Sequence, residues 1–149
     1  MITKTSIAML LALALIFTAC SSAGGGDDLK GHFTSSAVKM AAITKTMVDA
    51  KTAPDAITAL KEGGKVMLAI NAEQAPLRKK YPKVRKLMKD NKELKAAYDS
   101  WRMASRSLST AARALRDQYK EDTDVQAAYK EFTTGRYKRD GRRDRRRNR

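Results

Sequence analysis

Apolar side chains recur at three- and four-residue spacing from Phe33 to Phe132, and no segment alternates with the period of two that a strand requires. That pattern confines the chain to helices with one apolar stripe each, and such stripes are buried only against one another. The expected fold class is therefore all-α. It is a small antiparallel helical bundle of three long helices plus a short C-terminal helix over residues 29–134, followed by a disordered basic tail over 135–149. The single cysteine, Cys20, leaves no internal disulfide to assist the packing.

In the first expected helix Phe33, Ala37, Met40, Thr44 and Met47 form the stripe, with Val48 alongside. The second should begin near Pro54, a favourable first-turn residue, with Asp55 well placed against the helix dipole. Ile57, Leu60, Gly64, Met67, Leu68 and Asn71 mark its inner face, and Pro76 should limit its far end. Gly63-Gly64 costs about 1 kcal/mol per glycine relative to alanine, and implies either a kink or the close approach of a neighbouring helix. In the third helix Asp90-Asn91-Lys92-Glu93 has the form of a capping box. Leu94, Ala97, Tyr98, Trp101, Ala104, Ser105, Leu108, Ala111, Ala112 and Leu115 then keep one face apolar to about Gln118, with Trp101 as the expected central core residue. Thr123-Asp124-Val125-Gln126 has the form of a second capping box. It opens a short helix with Val125, Ala128, Tyr129 and Phe132 inward and Gly135 placed to end it.

The amino terminus carries an address. Lys4 precedes an almost purely apolar run from Ile7 to Phe17, too short for a membrane span and of a length that suits a signal peptide. Phe17-Thr18-Ala19-Cys20 resembles the lipobox of bacterial lipoproteins, with Phe17 where leucine is commoner. The resemblance implies removal of residues 1–19 and acylation of Cys20, which becomes the mature amino terminus and a membrane anchor. Ser21 after the modified cysteine fits export to the outer membrane, facing the periplasm. Cleavage after Ser21-Ser22-Ala23, giving a secreted domain, and an uncleaved signal anchor are the competing readings of the same segment. From Cys20 to Asp28 the chain reads as a Gly/Ser/Asp tether, short enough to keep the folded part near the membrane.

The net charge of +15 is concentrated. Residues 20–77 hold six basic and six acidic side chains, and residues 90–135 hold eight of each. The excess lies in a middle patch, Arg78, Lys79, Lys80, Lys83, Arg85, Lys86 and Lys89, and in the tail. The tail contributes Arg136, Lys138, Arg139, Arg142, Arg143, Arg145, Arg146, Arg147 and Arg149 against Asp140 and Asp144. Clustered like charge attracts polyanions, and arginine suits bidentate contact with phosphate or carboxylate. In the middle patch Leu77, Tyr81, Val84, Leu87 and Met88 interleave with the bases, so part of it should fold as a short amphipathic helix after Pro82.

No motif for catalysis, zinc, calcium or covalent haem is present, and no cofactor is expected. His32, the only histidine, reads as a solvated residue at the start of the first helix. Met40, Met47, Met67 and Met103 read as packing, and Glu121, Asp122 and Asp124 as residues of a helix start. The expectation is a non-enzymatic, lipid-anchored envelope protein whose basic patches bind lipid headgroups, lipopolysaccharide or peptidoglycan. The alternative is a periplasmic holdase or assembly factor with acidic client proteins. Nucleic acid, which an exported protein rarely meets, is not an expected partner. If Cys20 is acylated, Cys20→Ala abolishes fatty-acid labelling and moves the protein from the detergent to the aqueous phase; unchanged partitioning refutes the anchor.

Overall fold

The computed structural model describes residues 26–137; the leader, Cys20, the tether as far as Gly25 and the tail from Lys138 onward lie outside the described residues. The described chain is all-helical: α1 (Asp27–Asp49), α2 (Ala53–Lys80), α3 (Val84–Asp90), α4 (Lys92–Gln118) and α5 (Thr123–Tyr137). α1 lies against both α2 and α4, α2 lies against α5, and α3 rests on the start of α4. Contacts between α1 and α2 step in opposite directions along the two helices. Met47 meets Gly63, Lys39 pairs with Glu73 and Asp28 pairs with Lys80, so these two helices are antiparallel.

α1 begins earlier than its first aromatic residue. It takes Asp27 and Asp28, read from sequence as the end of the tether, into its first turn, where both acids suit the dipole. Gly26 precedes it with a φ of +142°, a conformation that side-chain-bearing residues avoid, and packs 3.5 Å from Leu94 through the position a Cβ would take. The buried stripe of α1 is Leu29, His32, Phe33, Ser36, Met40 and Met47; Val48 is 64% exposed and takes no part.

Pro76 does not end α2. The helix continues through it to Lys80, because packing on both sides of the proline, from Gln74 and Leu77, carries the chain past the lost backbone donor. Leu68, expected inward, is exposed, and Ile70 takes the inner position beside Met67. Helix starts also differ in detail from the capping boxes. Thr52 caps α2 by accepting from the Asp55 N–H at 3.3 Å. Asn91 rather than Asp90 caps α4, its Oδ1 accepting from the Leu94 N–H at 2.9 Å, which frees Glu93 to pair with Lys30 of α1. Asp122 caps α5 by accepting from the Asp124 and Val125 N–H groups, while Gln126 donates instead to the Arg116 and Tyr119 carbonyls. Gly135 does not end α5, which extends two residues further.

The main core joins Met40 and Met47 of α1, Ala56, Ala59, Leu60, Met67 and Ile70 of α2, Leu108, Ala112 and Leu115 of α4, and Val125, Ala128 and Phe132 of α5. A second, smaller core gathers Leu29, Phe33 and Leu94 at the end where α1 and α4 start. Trp101 is not the central core residue. It is half-buried and packs against both clusters from between them.

The Gly63-Gly64 pair marks a close approach. A Cβ on Gly63 would stand 2.6 Å from Met47 Cε and 3.2 Å from both Ile43 Cγ2 and Phe132 Cε2. At Gly64 the nearest atom is the Phe132 Cα at 3.5 Å, an ordinary contact. Overpacking costs about 1–3 kcal/mol and replacing a helical glycine by alanine gains up to about 1 kcal/mol. Gly64→Ala should therefore stabilise the fold, and Gly63→Ala should leave it less stable than Gly64→Ala by roughly 1–3 kcal/mol. Urea unfolding followed by circular dichroism measures it, and equal midpoints would contradict the close approach.

Candidate functional site

Seven basic residues in a twelve-residue stretch are held in place by the partly buried apolar residues between them. Leu77, Tyr81, Val84, Leu87 and Met88 all pack into the smaller core, against Leu29, Phe33, Leu94, Ala97, Tyr98 and Trp101. Their packing leaves every base of the patch except Arg78 exposed. The patch is not one linker: Arg78, Lys79 and Lys80 form the last turn of α2, Tyr81-Pro82 turns the chain, and Lys83 to Lys89 make up α3 with its N-cap. The cations in the last turn of α2 also complement the negative end of its dipole.

The residues of the patch divide by what they touch. Lys80 pairs with Asp28 at 2.6 Å, and the Tyr81 hydroxyl donates to the other oxygen of the same carboxylate, also at 2.6 Å. Arg78 donates to Gln74 Oε1 at 2.5 Å and is half-buried. Lys79, Lys83, Arg85, Lys86 and Lys89 are exposed, and none of them joins an ion pair among the described residues. The stretch is without acid in sequence, yet the fold brings it one, Asp28, from fifty-two residues away. Two acids in the first turn of a helix were the signal for that partner. They read as tether because the apolar period was started at Phe33 rather than Leu29.

Beside this basic edge lies a cavity of about 200 Å³, lined by Leu29, Phe33, Gln74, Arg78, Val84, Arg85, Met88, Tyr98 and Trp101. Three of its aromatics form a cluster. Tyr98 stacks on Trp101 with ring centroids 5.6 Å apart, and Phe33 meets Tyr98 edge-on at 5.2 Å and Trp101 at 5.6 Å. The Trp101 indole N–H is shut off from solvent with no hydrogen-bond acceptor among the described residues. Periodicity alone placed Trp101 inward, but nothing in the spacing showed that α3 leaves a gap over it.

His32 is not solvated. It is 7% exposed, with Nδ1 3.6 Å from Glu73 Oε2 and Nε2 buried without a partner among the described residues. Burial pushes its pKa down, against the pull of Glu73, which is itself held low by Lys39. The spacing of His32, Ser36, Met40 and Met47 puts the histidine on the stripe, and that was the available signal. Of the four methionines read as packing, Met40, Met47 and Met67 are buried and Met103 is 69% exposed. Among the described residues no group of three His, Cys, Asp or Glu side chains is gathered for a metal ion, and no helix is long and apolar enough to cross a membrane. Cys20 and the tail residues Lys138, Arg139, Arg142, Arg143, Arg145, Arg146, Arg147 and Arg149 lie outside the described residues, and Arg136 is described only as backbone of α5.

The Lys80 ammonium and the Tyr81 hydroxyl hold the Asp28 carboxyl down to about 2, from an ordinary value of 3.8. The unfolded chain then takes up this proton more readily than the folded one, so the clamp adds stability above about pH 4 that is lost as pH falls towards 2. Carbon-detected NMR titration should show Asp28 inflecting near 2 in the intact protein and returning to the ordinary carboxylate range in Lys80→Met/Tyr81→Phe. An unchanged inflection in the double variant would disprove the clamp.

No protein-family model, curated protein or solved structure matches this chain.

Proposed function

We propose that this chain is a non-enzymatic, lipid-anchored cell-envelope protein of the outer membrane whose basic patches bind an anionic envelope component. In this reading an antiparallel bundle is the scaffold, and the arginine-rich stretch from Arg136 to Arg149 is a second cationic arm. The observation that carries it is the meeting of Asp28 with Lys80: the start of α1 and the basic edge share one end of the fold. Cys20 stands six residues before Gly26, so an acylated Cys20 keeps that end within about 20 Å of the bilayer.

An anchor at this end supports anionic headgroups or lipopolysaccharide phosphates as the nearest ligand. The exposed cations Lys79, Lys83, Arg85, Lys86 and Lys89 face a surface they would reach without further reorganisation. Each base adds roughly 1 kcal/mol at an anionic leaflet, a contribution that falls off within a Debye length of about 10 Å at 0.1 M salt. Two helical turns of lysine and arginine are thus effective only if the tether is short. The holdase alternative draws on opened methionine stripes, and Met40, Met47 and Met67 are sealed inside the core.

Co-sedimentation with vesicles of phosphatidylglycerol and phosphatidylcholine tests the reading. Replacing Lys79, Lys83, Lys86 and Lys89 together by Gln should weaken binding at low salt by at least about a hundredfold. Truncation after Gly135 should weaken it further and flatten its salt dependence. If both variants bind as tightly as the intact chain, at every salt concentration, the polyanion reading fails.

A further inference from the structure

The cavity between α3 and the start of α4 has a composition that a packing defect would not need. One wall is the aromatic cluster of Phe33, Tyr98 and Trp101, and Met88 and Val84 close it from α3. Its lining also includes Gln74, Arg78 and Arg85, and the two guanidinium groups bring positive charge to a largely apolar space. Gln74 is itself buried and fixes Arg78 through a 2.5 Å hydrogen bond, so that charge is preorganised rather than recruited on binding. Arg85 is exposed along α3, with no ion-pair partner among the described residues, although it lines the cavity.

We infer that this cavity is a binding site for a small amphipathic monoanion, a medium-chain carboxylate of the fatty-acid class, with its apolar body against Phe33, Trp101 and Met88 and its head towards Arg85. Volume sets the size of the body. An apolar cavity of about 150 Å³ holds a benzene-sized molecule, so about 200 Å³ takes six to eight carbon atoms. Charge sets the head, because arginine offers a carboxylate two parallel N–H donors. Trp101 presents the apolar face of its ring to this space, and Met88 offers a polarisable thioether opposite. The site needs neither the lipid anchor nor the lysines of the basic edge, so it goes beyond the surface binding proposed above.

Trp101 is the only tryptophan in the chain and lines this cavity, so intrinsic tryptophan emission reports on its occupancy. Octanoate, titrated into the full-length protein below micelle-forming concentrations, should change that emission saturably. Acetate, a head without a body, should leave it unchanged, and octan-1-ol, a body without a charge, should bind at least tenfold more weakly. Arg85→Gln should raise the octanoate Kd about tenfold and leave the octanol Kd as it was. Val84→Phe and Met88→Phe, which fill the cavity from α3, should abolish the saturable response while leaving vesicle binding intact. Absence of a saturable response to octanoate overturns the inference, as does equal affinity for octanol or wild-type affinity in both filled variants. Because Arg85 is exposed, Arg85→Gln retains the helical circular dichroism and decides the matter even if a filled variant unfolds. Loss of vesicle binding on replacing Lys79, Lys83, Lys86 and Lys89, with the octanoate response retained, separates the two readings.

Discussion

Burial of α1 between α2 and α4 is the interaction on which the rest of the molecule depends. Its lower half sends Leu29 and Phe33 into one core and its upper half sends Met40 and Met47 into another, so the same helix belongs to both. Without it, α2 and α5 would still meet at Gly63-Gly64 and Phe132, but α4 would have few partners and α3 nothing but α4 to rest on. The cost of this arrangement is visible in α1 itself. His32 and Ser36 lie on the buried stripe with side-chain atoms that find no partner among the described residues, each a penalty of about 1–3 kcal/mol that the surrounding apolar burial offsets. A short helical chain without disulfides holds together on packing of this kind.

Much of the architecture was legible in the spacing of apolar residues. The face of α4 from Leu94 to Leu115 is covered at each residue named from the sequence, and α3 forms where Val84, Leu87 and Met88 interleave with lysine and arginine. Errors gathered at helix ends. Asp27 and Asp28 read as tether because a pair of acids after glycines carries no apolar period, although the first turn of a helix is where acids are favoured. Pro76 read as a stop because local chemistry predicts one, and tertiary packing of Gln74 and Leu77 overrode it. Capping boxes failed for a similar reason: Glu93 found a better partner in Lys30, a residue sixty-three positions away that no local window contains.

The candidate site was legible only as charge. Counting located the basic stretch, and the interleaved apolar residues foretold that it folds. What counting does not convey is that Asp28 neutralises Lys80, that Gln74 holds Arg78, and that a gap opens between the new helix and Trp101. These are products of packing between segments distant in the chain. A basic stretch whose interleaved apolar residues pack against a core differs physically from one without them. Its cations are displayed at fixed spacing on short helical turns, and less conformational entropy is lost when they engage a surface.

Pro76 also shapes how the basic edge behaves over time. Lacking an N–H, it leaves the Ala72 carbonyl without its helical donor, and both residues lie on the exposed side of α2. The final turn of α2 is thus joined to the ladder below it by one bond fewer, and the side-chain contacts of Leu77, Arg78, Lys80 and Tyr81 add to the remaining backbone bonds in retaining it. Sub-global opening should begin there, with amides from Leu77 to Lys89 exchanging as one cooperative unit while Leu60 and Ile70 remain protected. A missing rung in the ladder would give the charged end its own local melting, so that its display of cations loosens while the bundle stays folded.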